Sequence, residues 1–399
     1  MKILIIGWFG AGNIGDEAIL LSELHAMRER ISDAEFHILS FDPERTQRLV
    51  SGLQQVVKII GVGSKHKFLR TDFRGLWHSL TTVDMVVIGG GGIFQDIYNH
   101  YPIPFFTLMV VLSKLLSKRV VIHSVGIGPI RTWIGKRLTR FASNLADSVT
   151  VRDHESKYML ASIGVNKDIG ISSDPVFLLE PVKSEKVKGL LASNDLTSGL
   201  KIGVCIQDLL SWSNENKMAL AEVLDRIISE NGAKVVFIPF GSYRDGWFSK
   251  DSSDTVDLSS ARRLAAMMNE RAIIIAEELD PQELLSFIGE LDIIISMRLH
   301  GIIMGISQSI PVIGLTYKQE TKITNLMKWI GQGENLFFVD ELNRENILNH
   351  IEAILSHKEH LKLSLRKKKS VLAKRAEIAI ESLLKVATGD GVLYKAAVS

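Results

Sequence analysis

Short apolar runs alternate with longer stretches of mixed polarity along most of the 399-residue chain. The runs are rich in Ile and Val and show little polar alternation, which is typical of strands buried on both faces of a parallel sheet. In the first half they predict strands at 2–6, 36–41, 56–60, 85–88, 120–124 and 148–151. Helical spacing lies between several of them, as at 16–30 and 105–116. This alternation predicts a doubly wound α/β fold.

The pattern is interrupted at 181–200, which is rich in Lys, Ser, Gly and Asn and is interpreted as a linker that can hold a short helix. Strands are predicted again at 201–206, 234–240, 272–276, 292–296, 311–315 and 336–339. Asp280, Pro281 and Glu283 form a strong helix start, with a cap, a proline at the first helical position and a closing glutamate. The expected architecture is two Rossmann-like domains, 1–180 and 201–345, that face a cleft.

A basic C-terminal helical extension is expected at 346–399. Residues 357–375 carry eight Lys and Arg against one Glu, and the leucines at 361, 363 and 365 do not form a single stripe. We interpret this stretch as a solvated terminal helix. The alternative is peripheral contact with an anionic membrane or a lipid-linked substrate.

The bulk composition restricts the class of protein further. The 47 basic and 45 acidic residues give a net charge of +2, which does not indicate a nucleic-acid partner. Cys205 is the only cysteine, so neither an internal disulfide nor a cysteine-based metal cluster can form. The chain has no signal-peptide pattern and no apolar run long enough to span a bilayer. A soluble, cytoplasmic protein is expected, with the inner face of the membrane as an alternative location.

The first glycine-rich segment follows the first predicted strand. Gly10, Gly12 and Gly15 match the G-x-G-x-x-G spacing of dinucleotide-binding turns. Asp16 and Glu17 come next, where two carboxylates would repel a pyrophosphate. These acids favour binding of sugar hydroxyls or acceptance of a proton. A tight turn with a favourable charge pair at the helix start is the structural alternative.

Four consecutive glycines end the strand predicted at 85–88. Without side chains, residues 89–92 let the backbone approach a ligand closely. Gln95 and Asp96 follow directly and are expected to face the same opening.

Charged side chains end three other predicted strands, at the edge where open α/β sheets bind ligands. Arg152 follows 148–151, and Arg298 and His300 follow 292–296. Arginine can hold a phosphate or carboxylate bidentately, and a nearby histidine can act as acid or base. The alternatives are an ion pair of Arg152 with a neighbouring carboxylate and a structural histidine. Lys318 and Lys322 follow 311–315 and either reach the same anion or are solvated.

These segments, in this order, resemble the polysaccharide pyruvyl transferase family, most closely its bacterial cell-surface type. The matching stretches are GNIGDEAIL at 12–20, GGGGIFQD at 89–96, SVGIGPI at 124–130, TVRDHES at 150–156, SSDPVFLL at 172–179, SMRLHG at 296–301 and PVIGLTY at 311–317. The resemblance covers nearly the whole chain, to about residue 340. It implies a fold similar to the twin-Rossmann (GT-B) glycosyltransferases, with the active site between the domains.

The resemblance also implies an activity, namely transfer of the pyruvyl group of phosphoenolpyruvate to a sugar of a surface polysaccharide or its lipid-linked precursor. The product is a pyruvate ketal, and phosphate is released. The implied phosphoenolpyruvate-binding residues are Arg152, Arg298, His300 and either Lys318 or Lys322, of which Lys322 aligns better after a two-residue insertion. The residues expected to bind the acceptor are Asn13, Asp16, Gly91, Gly92 and Gln95.

Ketal formation requires protonation of the enol carbon, capture by a hydroxyl and departure of phosphate. His300 is the expected general acid, or assists the departure of phosphate, and Asp16 or Asp96 is expected to accept the hydroxyl proton. Arginine and lysine side chains would balance the donor's charge, with Arg298 in a supporting role. The scheme requires no metal and no organic cofactor, since phosphoenolpyruvate is the donor substrate.

Three other classes of protein share parts of this pattern. A twin-Rossmann glycosyltransferase that uses a sugar nucleotide would have the same fold and glycine loops. A dinucleotide oxidoreductase is disfavoured by Asp16 and Glu17. A non-catalytic module that binds sugar or phosphate would not need the Arg298 and His300 pair.

Overall fold

The computed structural model describes residues 1–31, 33–63, 71–97, 100–207, 212–241 and 256–389. Its contacts divide the chain into two compact units. The first consists of Met1–Ala11, Asp16–Leu179 and the C-terminal residues from Leu372 onward. The second consists of Gly12–Gly15 and Glu180–Val371. A four-residue piece of the N-terminal glycine segment therefore packs with the second unit.

The first unit is built on a parallel sheet, and the described residues supply seven strands in the order β3-β2-β1-β4-β5-β6-β7. The strands are β1 Lys2–Ile6, β2 Glu35–Ser40, β3 Val56–Gly61, β4 Met85–Gly89, β5 Arg119–Val125, β6 Ser148–Val151 and β7 Ile169–Ile171. The helices are α1 Ile14–Arg30, α2 Pro43–Leu49, α3 Phe73–Thr82, α4 Pro102–Leu115, α5 Trp133–Leu145 and α6 His154–Ser162. Every residue of β4 is buried, as expected for a central strand covered on both faces.

The second unit repeats this plan with a parallel sheet of six described strands in the order β10-β9-β8-β11-β12-β13. The strands are β8 Lys201–Cys205, β9 Lys234–Phe237, β10 Ile273–Ile274, β11 Ile293–Ser296, β12 Val312–Thr316 and β13 Leu336–Phe338. The helices are α7 Glu185–Ser193, α8 Asn214–Asn231, α9 Val256–Ala265, α10 Pro281–Gly289, α11 Leu299–Ser307, α12 Lys322–Trp329, α13 Arg344–Ser356 and α14 Lys358–Thr388, of which α14 ends in the first unit.

The predicted fold class is confirmed: the chain is α/β with two Rossmann-like sheets. β1 and β6 have the predicted bounds, whereas β7 was missed because its run, Ile-Gly-Ile, is too short to stand out. The predicted capping box at the start of α10 is present. There the Glu283 N–H donates to Asp280 at 2.8 Å, and the Asp280 N–H donates back to Glu283 at 3.2 Å.

The structure differs from the sequence interpretation at the C-terminal extension. The expected solvated helix, α14, buries a stripe of Leu372, Ala376, Ala379, Ile380 and Leu383. Leu365, one of the three leucines that suggested a solvated face, is buried as well, seven residues before Leu372. α14 is therefore a packed element. The last part of the predicted extension, 390–399, lies outside the described residues.

The predicted linker also contains regular structure. It holds α7, whose Val187 and Leu190 are buried, and the Ser184 hydroxyl at its start donates to Glu283 at 2.8 Å. The whole segment, 181–200, belongs to the second unit. Within the described ranges, no helix combines the length and apolarity that crossing a membrane requires.

Candidate active site

The imidazole of His300 lies against the backbone of Gly15 in the second unit. His300 is the second residue of α11, directly beyond β11, and only 8% of it is exposed. A Cβ at position 15 would lie 2.0 Å from its Nδ1 and 2.4 Å from its Cγ. Only glycine fits there. The GNIGDE and SMRLHG segments therefore contact each other through Gly15 and His300.

The turn that carries Gly15 is fixed by backbone hydrogen bonds within the second unit. The Ile14 N–H donates to the Phe240 carbonyl at 3.0 Å, and Asn13 forms an antiparallel bridge with Gly241. The side-chain oxygen of Asn13, a predicted acceptor ligand, accepts from the Gly15 N–H at 3.3 Å. Asn13 therefore shapes the turn under His300.

Asp257 joins this turn to Arg298. Its carboxylate is 1% exposed and accepts the N–H groups of Phe240 and Gly241, each at 3.0 Å. It also binds the Arg298 guanidinium through Nε, at 2.9 Å, and through Nη2. The sequence analysis missed Asp257. Its only signal was an acid in the first turn of α9, which suits the helix dipole and is common at exposed helix starts.

Arg298 is held on the backbone side as well. Its N–H donates to the Ser296 hydroxyl at 3.0 Å, and that hydroxyl donates to the Arg298 carbonyl at 2.8 Å. About 13% of the Arg298 side chain is exposed, and its charge is balanced by Asp257. These contacts hold the Arg298 side chain in one position. Its direct contact with the donor stays a prediction.

The structure places the two candidate lysines differently. Lys318 is 52% exposed and pairs with the carboxylate of Glu341. Lys322 is half-buried and is the first residue of α12, just beyond β12. A cation at a helix N-terminus is disfavoured by the helix dipole, so local helix stability does not explain Lys322. Of the two, Lys322 is the better candidate for an anion site.

The four-glycine loop of the first unit lies on one face of α1. A Cβ at Gly91 would be 2.8 Å from Oδ1 of Asp16, and one at Gly90 would be 2.1 Å from Cγ2 of Ile19. Both glycines also have positive φ, +73° and +68°, which side chains rarely adopt. Glycine is needed at both positions, and the loop fixes Asp16 at the start of α1.

A buried acid and a buried histidine, both missed from the sequence, lie below the same loop. A Cβ at Gly89 would be 3.2 Å from Oε1 of Glu23, which lies two helical turns beyond Asp16 on α1. The His123 Nε2 is 3.9 Å from the same oxygen, and neither side chain makes a hydrogen bond in the described structure. Burial raises the pKa of Glu23 well above its ordinary value and lowers that of His123 to about 4. Both shifts favour the uncharged form of the side chain.

The Asp96 carboxylate, for which a catalytic role is predicted, is hydrogen-bonded to residues 131–132. Its carboxylate accepts from the N–H groups of Arg131 and Thr132 at 2.6 and 2.9 Å and from the Thr132 hydroxyl. Burial alone would raise its pKa, yet these bonds hold the pKa below the ordinary value. A carboxylate so committed is a poor proton acceptor.

Two predicted acceptor residues lie beside Asp96 in the chain. Gly92 and Gln95 are half-buried, and the side-chain oxygen of Gln95 accepts the Ile97 N–H at 3.2 Å. This bond stays within the loop. Contact of either residue with a sugar therefore remains a prediction.

Arg152 is in a buried ion pair. It is 5% exposed, its Nη1 donates to Asp174 at 2.9 Å, and its Nε lies 3.8 Å from Asp153. A Cβ at Gly126 would be 2.8 Å from the guanidinium nitrogens, so this glycine makes room for the side chain. The local ion pair considered from the sequence is present. Asp174, the stronger partner, was missed. Binding of the donor by Arg152 stays a prediction.

Glu17 occupies one backbone donor of the first glycine segment. Its buried carboxylate accepts the Gly10 N–H at 2.9 Å, so this donor is already used within the turn. Burial raises the pKa of Glu17 to about 7, against the lowering effect of nearby Arg45.

Comparison with known proteins identifies the family of the chain. The family model "Polysaccharide pyruvyl transferase" matches residues 13–319, a range that includes His300 and Lys318 and ends just before Lys322. The amylovoran biosynthesis protein AmsJ of Erwinia amylovora is 22% identical over 400 residues, which cover 90% of this chain and 94% of AmsJ.

Solved structures share the fold. Anabaena HepE in complex with UDP-glucose has a TM-score of 0.61 at 13% identity, covering 98% of this chain and 99% of HepE. The UDP-GlcNAc 2-epimerase of Neisseria meningitidis, bound to UDP-GlcNAc, has a TM-score of 0.61 at 13% identity, covering 96% and 100%. Escherichia coli ADP-heptose LPS heptosyltransferase II has a TM-score of 0.51 at 16% identity, covering 90% and 100%. These likenesses confirm the expected twin-Rossmann, GT-B-like fold, and the family match spans most of the sequence: the chain belongs to the polysaccharide pyruvyl transferase family.

Proposed function

We propose that the chain transfers the pyruvyl group of phosphoenolpyruvate to a sugar of a surface polysaccharide or its lipid-linked precursor, forming a ketal and releasing phosphate. The observation that carries the proposal is the contact of His300 with Gly15. It holds the His300 imidazole at the start of α11, against the residue that directly precedes Asp16. Membership of the family supports the class of transfer, and the description of AmsJ as an amylovoran biosynthesis protein supports a polysaccharide setting.

The proton balance of ketal formation states what the protein must supply. Two hydroxyl groups of the acceptor bond to the central carbon of the donor, and each of them loses a proton. One proton is gained by the methylene carbon, which becomes a methyl group, and one by the phosphate as its bond to carbon breaks. The reaction is therefore balanced by proton relay alone, and this scheme requires neither a metal nor an organic cofactor.

His300 and Asp16 suit the two ends of this relay. A histidine can give a proton to the methylene carbon and later assist the departing phosphate, which is ordinary general acid–base chemistry. Asp16 is half-buried against Gly91 and is better placed than Asp96 to accept a hydroxyl proton, because the Asp96 carboxylate is committed to residues 131–132. In this scheme Asp16 is the base.

The donor carries a carboxylate and a phosphate, so its site needs positive charge. The N-terminal end of α11 favours anions through the helix dipole. Lys322 and the guanidinium of Arg298, held in place by Asp257, supply cations in the same unit. We assign the donor to these groups and give Lys318 no part, because it is exposed and pairs with Glu341.

The fold supports one other candidate function. HepE and the Neisseria epimerase were solved with UDP-glucose and UDP-GlcNAc, so a sugar nucleotide is the alternative donor. Both donors are anionic, and the choice between them rests on a binding experiment.

Phosphoenolpyruvate is expected to stabilise the chain against thermal unfolding, whereas UDP-glucose is not. A ligand at a hundred times its dissociation constant adds about 2.7 kcal/mol to the free energy of unfolding. Lys322→Met should weaken this stabilisation, and the matched variant Lys318→Met should retain it. Stabilisation by UDP-glucose alone, or equal loss in both lysine variants, would contradict the proposed donor or its assignment to Lys322.

A further inference from the structure

The first unit exposes an unusual amount of apolar side chain on α5. Trp133, Ile134 and Phe141 are each more than half exposed and lie on the same outward side of the helix. Buried residues of the opposite side, such as Ala142, hold α5 on the sheet. The opposite side of α5 already packs on the sheet, so these solvent-exposed side chains are not part of the core.

The apolar exposure continues over α3 and α4. Phe73 and Trp77 on α3 and Leu108 and Leu115 on α4 are each at least half exposed. With α5, these helices hold seven of the thirteen large apolar side chains that are exposed in the described residues. We call the exposed residues of α3, α4 and α5 the α3–α5 surface. Such concentration marks an interaction site, since scattered apolar residues are ordinary and a cluster is not.

An apolar groove lies within this surface, between α3 and α4. Its volume is about 380 Å³, and Trp77, Leu80, Phe105, Leu108 and Leu112 are among its lining residues. The groove would accept an apolar chain lying along the surface.

The charge of the α3–α5 surface has one sign. The sequences of α3, α4 and α5 contain no Asp or Glu. Arg74, Lys136, Arg137 and Arg140 are exposed, and the Arg137 guanidinium carbon lies 4.9 Å from the centroid of the Trp133 ring. The one other cation on these helices, Lys114, is paired with Asp147.

We propose that the α3–α5 surface binds the surface of an anionic lipid bilayer. Tryptophan prefers the boundary between lipid and water, and interleaved arginine and lysine attract anionic headgroups. Charge of one sign interleaved with tryptophan makes the bilayer the favoured occupant. A protein interface, where arginine and aromatic residues are also enriched, is an outcome that the test below distinguishes. The inference stands apart from the proposed function and does not depend on the donor.

The same observations move the expected membrane contact away from the basic C-terminal helix. On α14 only Leu363 and Val371 are exposed large apolar side chains, although the helix is rich in lysine. Charge without apolar anchors gives weaker attachment to a bilayer than both together. α14 therefore provides a matched control, with cations but few anchors.

The test is flotation of the full chain with vesicles made of equal parts phosphatidylglycerol and phosphatidylcholine, compared with vesicles of phosphatidylcholine alone. We expect binding to the anionic vesicles only. The double variants Trp133→Ser with Ile134→Ser, and Arg137→Glu with Arg140→Glu, should each weaken it by about tenfold or more. The matched α14 variants, Leu363→Ser with Val371→Ser and Arg366→Glu with Lys367→Glu, should bind as the native chain does.

Three results would overturn the proposal. The first is equal binding to both kinds of vesicle, or binding to neither. The second is loss of binding only in the α14 variants. The third is self-association of a chain that binds no vesicles, seen by sedimentation and abolished by the α5 variants. Circular dichroism of each variant separates loss of binding from loss of folding. The substituted side chains are exposed, so all four variants are expected to fold.

Discussion

Replacing Gly15 by alanine is expected to lower turnover by about a hundredfold to ten-thousandfold, which is the range that a general acid or base contributes. The new methyl group would lie 2.0 Å from Nδ1 of His300, so either the imidazole or the turn must move. In each case the acid/base group leaves its position at the start of α11. His300→Ala should lower turnover by a similar factor, and the double variant should be little worse than either single one.

The control for this prediction is a glycine of the same unit with space around it. Gly189 lies within α7, and nothing is within 4 Å of a Cβ built there. Gly189→Ala should keep full activity and gain about 0.5–1 kcal/mol in the free energy of unfolding, as alanine favours a helix over glycine. Turnover near the native rate in Gly15→Ala would show that the His300 contact is not needed for the reaction.

Asp257→Ala is expected to destabilise the second unit by about 3–5 kcal/mol and to impair donor binding. The change removes the acid partner of the Arg298 guanidinium and leaves the N–H groups of Phe240 and Gly241 without the acceptor that Asp257 provides. An uncompensated charge and unsatisfied donors are both costly in a buried site. Asp257→Asn keeps an acceptor and should cost less. Urea unfolding measures the stability, and phosphoenolpyruvate-dependent thermal shift measures the binding.

An ion pair at the surface of the same unit is the matched comparison. Lys318 and Glu341 are 52% and 63% exposed, so Glu341→Ala should change the free energy of unfolding by less than about 1 kcal/mol. If Asp257→Ala unfolds at the same urea concentration as the native chain, then Asp257 does not hold the turn and Arg298 together.

The sequence was sufficient for the features that local patterns determine. Apolar runs predicted β1 and β6 to the residue, and the Asp280 cap predicted the start of α10. These signals are local, because a buried parallel strand and a helix cap are specified by residues close together in the chain. The repeated alternation of strands and helices also predicted two parallel sheets of similar topology.

The sequence was not sufficient for contacts between distant residues. It singled out Gly15 and His300 in separate motifs, yet only the folded second unit shows that the ring requires the glycine. Asp257, Asp174 and Glu23 were missed because a carboxylate that is buried by the fold looks in sequence like one at the surface. The bonds of Asp96 were missed for the same reason, since its partners at 131–132 lie far along the chain.

The proposed pyruvyl transfer is tested most directly by measuring the amounts of both products in a single reaction. The chain is incubated with phosphoenolpyruvate and with oligosaccharides from a surface polysaccharide whose pyruvate has been removed by mild acid. Free phosphate is then measured together with the methyl signal of the ketal in the proton NMR spectrum. We expect equal amounts of phosphate and ketal with the native chain and almost none of either with His300→Ala. The proposed donor would be contradicted if phosphoenolpyruvate gave neither phosphate nor ketal while the chain consumed UDP-glucose in the presence of the same oligosaccharides.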